Sequence, residues 1–231
     1  MAKDHAEIER LTAASAAADR VAAQLQRGDV ALVGRTEAEV STDIGAGLIA
    51  EGHDKVNFAI VAASENAASP HHHAANRVIR DGDVVLCDFG GTMDGYCSDI
   101  TRCFSIGEPN TEVADAYAVL LEAQAAGVTA GTIGTRCEDV DTASRTIISD
   151  AGYGEYFIHR TGHGIGMDEH EDPYIVKGNR TPLAAGHAYS VEPGIYMPGR
   201  FGMRLEDIVI ATPNGPSPLN HVSHDLVVLD R

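Results

Sequence analysis

Two aspartates and two glutamates stand where strands would be expected to be apolar. Asp88 interrupts the β-branched run Val84-Val85-Leu86-Cys87-Asp88-Phe89, and Asp99 lies in the stretch Tyr96 to Phe104 that resumes after Asp94-Gly95. An Asp-Gly pair between two such runs signals a hairpin with a two-residue loop. Side chains alternate across a strand, so in that register Asp88 and Asp99 project from one face. Two carboxylates on one buried face repel and do not both ionise unless a cation compensates, whereas on a solvent face they need nothing. Ala188 to Met197 and Gly202 to Ala211 flank Pro198-Gly199-Arg200, a second hairpin. Around a three-residue loop centred on Gly199, Glu192 and Glu206 stand directly opposite each other, each among apolar neighbours. Four converging carboxylates would demand a divalent metal.

Histidines supply the rest of this chemistry. His159 and His163 lie four apart in His159-Arg160-Thr161-Gly162-His163-Gly164-Ile165-Gly166, where glycines permit close backbone approach. His170 follows in Glu169-His170-Glu171-Asp172-Pro173, and His71, His72 and His73 cluster before the first acidic strand. His5, His53, His187, His221 and His224 read as surface or satisfied core residues. One histidine with four carboxylates suits Mn²⁺, Co²⁺ or Fe²⁺, and Zn²⁺ remains compatible. The glycines of Thr161 to Gly166 do not read as a phosphate loop, because GxGxxG is absent and no Lys-Ser/Thr follows.

Four helices are predicted to carry these strands. From Asp4 to Gln26, Ile8, Leu11, Ala14, Ala18, Val21 and Leu25 recur at steps of three and four, one face of an amphipathic helix. Thr36 with Glu39 forms a capping box for a second. A third spans about Asn110 to Ala126, and a fourth Arg136 to Ala151 before Gly152. Two helices followed by an extended stretch thus occur twice, the outline of a pseudo-symmetric domain. No linker-like segment divides the chain, so residues 1–231 read as one domain.

Composition narrows the partners. A formal charge of −17 argues against nucleic acid, which needs a clustered basic surface. There is no run of apolar residues long enough for a membrane span and no leader-like start, which points to the cytoplasm. Cys87, Cys97, Cys103 and Cys137 lack CxxC spacing and read as small buried hydrophobes.

With these residues in place, the chain resembles the pita-bread metallopeptidases, which include methionine aminopeptidases and Xaa-Pro aminopeptidases and dipeptidases. The family's metal-ligand positions are matched in order by Asp88, Asp99, His163, Glu192 and Glu206, and the resemblance covers essentially the whole chain. Glu192-Pro193-Gly194-Ile195-Tyr196, Glu206-Asp207-Ile208 and His170-Glu171-Asp172-Pro173 are similar to the Xaa-Pro, or prolidase-like, branch rather than to methionine aminopeptidases. The resemblance implies an α+β pita-bread fold, a curved antiparallel sheet with two pseudo-symmetric helix pairs on its outer face. It implies two divalent ions, Mn²⁺ foremost, with Asp88 on one, His163 and Glu192 on the other, and Asp99 and Glu206 bridging.

The expected reaction is hydrolysis of the N-terminal peptide bond of Xaa-Pro dipeptides or short peptides by a metal-activated hydroxide. Glu192 is implied as proton shuttle, His71 and His170 as hydrogen-bond donors to the tetrahedral oxyanion or leaving side, and His159 as a wall of the substrate pocket. Arg204, two residues before Glu206, is expected either to orient that ligand or to meet a substrate carboxylate. A small peptide is the implied partner, with a homodimer the family's usual assembly. Xaa-Pro enzymes usually carry a further N-terminal domain, and this chain is read as lacking it. That departure favours two alternatives, a methionine aminopeptidase and a non-catalytic peptide- or protein-binding module on the same fold. A metal-free hydrolase related to creatinase is opposed by the intact acidic set.

Overall fold

The computed structural model describes residues 1–230. Helix α1 (His5–Gln26) begins with a capping box between Asp4 and Glu7 and buries Leu11, Ala14, Ala18, Val21 and Leu25, the predicted stripe. Helix α2 (Glu37–Ala50) starts at the Thr36–Glu39 capping box, as expected. Helix α3 (Thr111–Ala130) is capped by Asn110, which accepts from the Val113 amide, and α4 (Cys137–Asp150) ends before Gly152. The third helix runs past its predicted end at Ala126 because Gly127 sits where α3 meets α4. A Cβ there would lie 2.3 Å from Ser144 Oγ, so the glycine serves packing rather than termination.

Strand β1 (Lys55–Ala63), not singled out in the sequence, pairs with β2 (Val84–Met93). Strands β3 (Tyr96–Cys97) and β4 (Ile100–Ile106) return from the Asp94-Gly95 turn, and β12 (Val227–Leu229) adds to β4 in parallel. A second sheet has the order β11 (Gly215–Pro218), β10 (Asp207–Thr212), β7 (Ala188–Val191), β5 (Gly162–Gly164), β6 (Glu171–Ile175). Past Glu192 and Glu206 the β7–β10 pair continues as a ribbon of β8 (Gly194–Met197) and β9 (Phe201–Arg204), closed by the Pro198-Gly199-Arg200 loop with Gly199 at φ +70°, and β9 packs against β2 and β4. The expected single curved sheet is therefore broken into three pieces. Apart from β12, its pairings are antiparallel.

The break falls at the predicted ligands. Val191 pairs with Asp207 and Gly194 with Arg204, the register that sets Glu192 opposite Glu206, but neither glutamate is in a ladder. Pro193 has no N–H to donate. The Glu192 amide instead donates to Thr161 O at 2.7 Å, and the Glu206 amide to Thr101 O at 3.3 Å. The bridge Thr101–Glu206 stitches the two sheets at this point.

The two halves repeat at the level of single hydrogen bonds. The Gly34 amide donates to Ile79 O and the Ile79 amide to Arg35 O; in the second half Gly134 donates to Leu183 O and Leu183 to Thr135 O. Glu37 donates to Arg77 O at the start of α2, and Cys137 to Thr181 O at the start of α4. These bonds satisfy amides that a helix start leaves orphaned. One core joins α1 and α2 to β2 and β4 through Val21, Leu25, Ile44, Leu48, Phe89 and Phe104. Another joins α3, α4 and the β8–β9 ribbon to β2 through Leu120, Ile148, Ile195, Met203, Val84 and Leu86. All four cysteines are buried and free. No helix among the described residues is long and apolar enough to cross a membrane.

Candidate metal centre

Asp88 pairs with Thr101 across β2 and β4, so Asp99, two residues earlier, shares its face, as the hairpin register required. Both line a cavity of about 540 Å³, together with His163, Glu192, Glu206, His71, His159, His170 and Arg204. The structure thus brings together every residue that the sequence marked for the site. Phe58, Ile60, Pro70, Arg160 and Glu169 complete the walls.

His163 reaches this point because Gly162 lets its strand pass close to β7: a Cβ on Gly162 would lie 1.9 Å from Ser190 O. Its Nδ1 lies 3.1 Å from Gly164 O, leaving Nε2 toward Asp99 (3.6 Å) and Glu192 (3.2 Å). Ser190, two residues before Glu192, donates to Glu192 Oε1 at 2.9 Å and accepts from the His163 amide at 3.0 Å. Thr101 donates to Glu206 Oε2 at 2.6 Å.

Ligand atoms of Asp99, His163 and Glu206 lie within 4.8 Å of one another. Asp88 Oδ1, Asp99 Oδ1 and Glu206 Oε1 are buried without a hydrogen-bond partner. Buried polar atoms are nearly always satisfied, so three bare carboxylate oxygens in one cavity call for a cation. Burial first, then repulsion from the other carboxylates, pushes Asp99 and Glu206 well above the usual range. Asp88 is raised by burial, against the pull of Arg204. Burial also works against ionised Glu192, but its contacts with His163 and the charge of Arg204 hold it down at about 2. The donor set, one imidazole and four carboxylates, fits a hard or borderline divalent ion.

Arg204 is fully committed. Nη2 donates to Asp88, Nη1 to Tyr196 Oη (2.6 Å) and Pro70 O (3.4 Å), and Nε to Thr101 Oγ1 (3.3 Å). It therefore braces Asp88, where the sequence had suggested Glu206 or a substrate; Glu192 is its next nearest carboxylate at 3.9 Å. Tyr196 hydroxyl lies 2.8 Å from His159 Nε2, and His159 Nδ1 lies 2.6 Å from Arg160 O. Burial presses His159 down to about 4, so it is a neutral ring in the wall. His170 stands at the mouth with its ring edge 4.1 Å, centroid to centroid, from His163.

Behind the ligands lies a layer that sequence reasoning missed. Arg102 is wholly buried and donates to Glu206 O (2.7 Å), Thr101 O (2.9 Å) and Asp207 Oδ1 (2.8 Å). Asp207 Oδ2 accepts from Gln124 (2.9 Å) and faces His224 Nε2 (2.7 Å), so of the two readings given for His224, surface or satisfied, the satisfied one applies. His72, given no role in the sequence, binds Glu37. Thr101 and Ser190 were findable, each sharing a strand face with a ligand two residues away. Arg102 and Glu37 carried no local signal.

Residues 9–213 match the model for metallopeptidase family M24. Over 230 residues the chain is 49% identical to "Probable dipeptidase PepE" of Mycobacterium tuberculosis, covering 99% of this chain and 61% of that protein. It is 40% identical over 226 residues to an "Xaa-Pro dipeptidase" of Lactobacillus helveticus, covering 96% and 61%. Among solved structures, a prolidase from Thermococcus sibiricus superimposes with TM-score 0.96 at 42% identity, over 99% of this chain and 62% of that one. The chain thus spans about 61% of the length of these curated relatives.

Proposed function

The chain belongs to metallopeptidase family M24, and from that premise we propose that it hydrolyses the N-terminal peptide bond of Xaa-Pro dipeptides or short Xaa-Pro peptides with two divalent ions, Mn²⁺ before Co²⁺, Fe²⁺ or Zn²⁺. The observation that carries this reading is the trio of buried, unpartnered oxygens on Asp88, Asp99 and Glu206 beside His163 Nε2. Asp88 would serve one ion, His163 and Glu192 the other, with Asp99 and Glu206 shared. When bound, such ions supply an acidified water and polarise the scissile carbonyl.

The chain's own groups do the remainder. Glu192, held ionised and fixed through Oε1 by Ser190, offers Oε2 to take the attacking water's proton and pass it to the leaving nitrogen. His71 and His170, which line the cavity, would donate to the tetrahedral oxyanion or the leaving side, a contribution typically of about 2.7–4 kcal/mol per donor. His159, neutral and held by Tyr196, and the apolar Phe58 and Ile60 shape the wall against which a proline ring can pack. Arg204 keeps Asp88 oriented. The names of the relatives, dipeptidase and Xaa-Pro dipeptidase, support the substrate class.

The test is hydrolysis of an Xaa-Pro dipeptide, an Xaa-Pro tripeptide and a Met-Ala peptide by stripped protein reloaded with each metal. Metal-dependent cleavage before proline is expected. Asp99→Asn should lose metal binding and hydrolysis together, and full activity in that variant would sink the ligand assignment.

A further inference from the structure

Glu37 is the first residue of α2, its side chain is wholly buried, and it lies outside the cavity. Its carboxylate nonetheless gathers donors from three places. Oε1 accepts from the Ala63 amide (2.8 Å) at the end of β1 and from Asn66 Nδ2 (3.0 Å). Oε2 accepts from the Ala75 amide (3.2 Å) and faces His72 Nε2 at 2.8 Å. Asn66 Nδ2 also reaches Oε2 at 3.1 Å.

Ala75 and His72 belong to the irregular segment 69–76, which carries His71. Along that segment the side chains alternate: His71 lines the metal cavity, while His72 turns back to Glu37. A turn from the His72 amide to Ser69 O (3.1 Å) and the bond from Arg204 to Pro70 O hold its other end. Among the described residues the His71 side chain has no hydrogen bond or ion pair, so its position is set by its neighbours.

The second half of the molecule supplies an internal control. There α4 starts with Cys137, whose amide docks on Thr181 O just as the Glu37 amide docks on Arg77 O. What the two helix starts share is thus the backbone bonding; between α4 and its docked segment the second half adds the Arg180–Glu138 pair at 3.4 Å, exposed at Arg180, and no buried carboxylate. The carboxylate of Glu37 is an addition on the side where the segment docked at the helix start carries a cavity histidine, His71; the matching segment around Thr181 contributes nothing to the cavity.

We propose that Glu37, through His72, is a positioning residue for the reaction: it pins segment 69–76 so that His71 faces the metal centre. This rests on the role assigned to His71 above. The experiment uses the full chain in four forms, unaltered, His71→Ala, His72→Ala and the double variant, with Mn²⁺ affinity by calorimetry and kcat and KM on an Xaa-Pro dipeptide. Because Glu37 is buried and Glu37→Gln risks the fold, His72→Ala at the rim is the primary variant and amide exchange of 69–76 the companion measurement.

The expected result is that His72→Ala leaves Mn²⁺ affinity and the fold intact, speeds exchange across 69–76, and lowers kcat about 10- to 100-fold, as misplacement of a reacting group does. In the His71→Ala background it should lower kcat no further, since the group it positions is gone. A silent His71→Ala would overturn the role of His71 and this proposal with it. A damaging His71→Ala with a silent His72→Ala, or with losses that multiply in the double variant, would overturn the positioning role alone.

Discussion

The Thr101 hydroxyl donates to Glu206 Oε2 at 2.6 Å across the seam between the two sheets, while Thr101 O accepts the Glu206 amide. One residue of β4 thus fixes both the backbone and the side chain of a carboxylate from the other half. Thr101 also lies directly opposite Asp88, so it sits at the junction of both acidic hairpins.

Thr101→Val keeps the shape and removes the donor. Loss of a partner behind a metal ligand typically costs about 10- to 100-fold in affinity. We expect Mn²⁺ binding weakened by that order with the fold retained, measured by calorimetry and circular dichroism.

Metal should raise thermal stability. The clustered carboxylates oppose one another in its absence, and a ligand that binds only the folded state adds about 2.7 kcal/mol at one hundred times its Kd. A scan with and without Mn²⁺ should show a clear rise in Tm. The rise should vanish in Asp99→Asn.

Asp83 gives a pH dependence away from the metal centre. Burial alone would raise its carboxyl, but Arg77 (2.7 and 2.9 Å), the Arg80 amide (2.8 Å) and Ser64 (2.8 Å) hold it below the usual range. A depressed carboxylate stabilises the fold above its unfolded pKa, and that contribution is lost as pH falls through the folded value. Asp83→Asn should therefore lose stability at neutral pH, by about 1.5–3 kcal/mol for a charged hydrogen bond, and lose less on acidification. Urea midpoints at neutral and acid pH distinguish this from an indifferent surface aspartate.

His159 is expected to stay neutral through the working range, because burial holds it near 4. A ring-proton titration by NMR should show no midpoint above about pH 5.5, a full unit below the ordinary histidine value. Tyr196→Phe removes its hydroxyl partner and should loosen the ring without charging it.

Much of this site was legible because strand parity is a strong constraint. The positions of Asp88 with Asp99, and of Glu192 with Glu206, followed from turn length alone. What parity could not foresee was the break in the ladder at Pro193, where the Glu192 amide turns to Thr161 beside β5 and the Glu206 amide to Thr101 of β4. Strand β1 escaped because the alternation of Val56, Phe58 and Ile60 is blurred by the continuous run Val61-Ala62-Ala63. Glu37 and Arg102 escaped for another reason: a charged residue is by default solvated, and the partners that bury these two lie far away in sequence.

The seam has a consequence for how damage would spread. Asp88 and Asp99 come from the first half, and His163, Glu192 and Glu206 from the second, with Thr101–Glu206 as the stitch between them. Each half has its own helix pair, yet one apolar core runs through the seam, where Leu120, Ile195 and Met203 pack with Ala62, Val84, Leu86 and Cys103 of the first half. The centre therefore works like a vernier, reading small errors in how the two halves are packed against each other. Polar substitutions at the stitch, Thr101 first among them, should silence the chemistry at a far smaller loss of structure than truncations in the apolar core that the halves share.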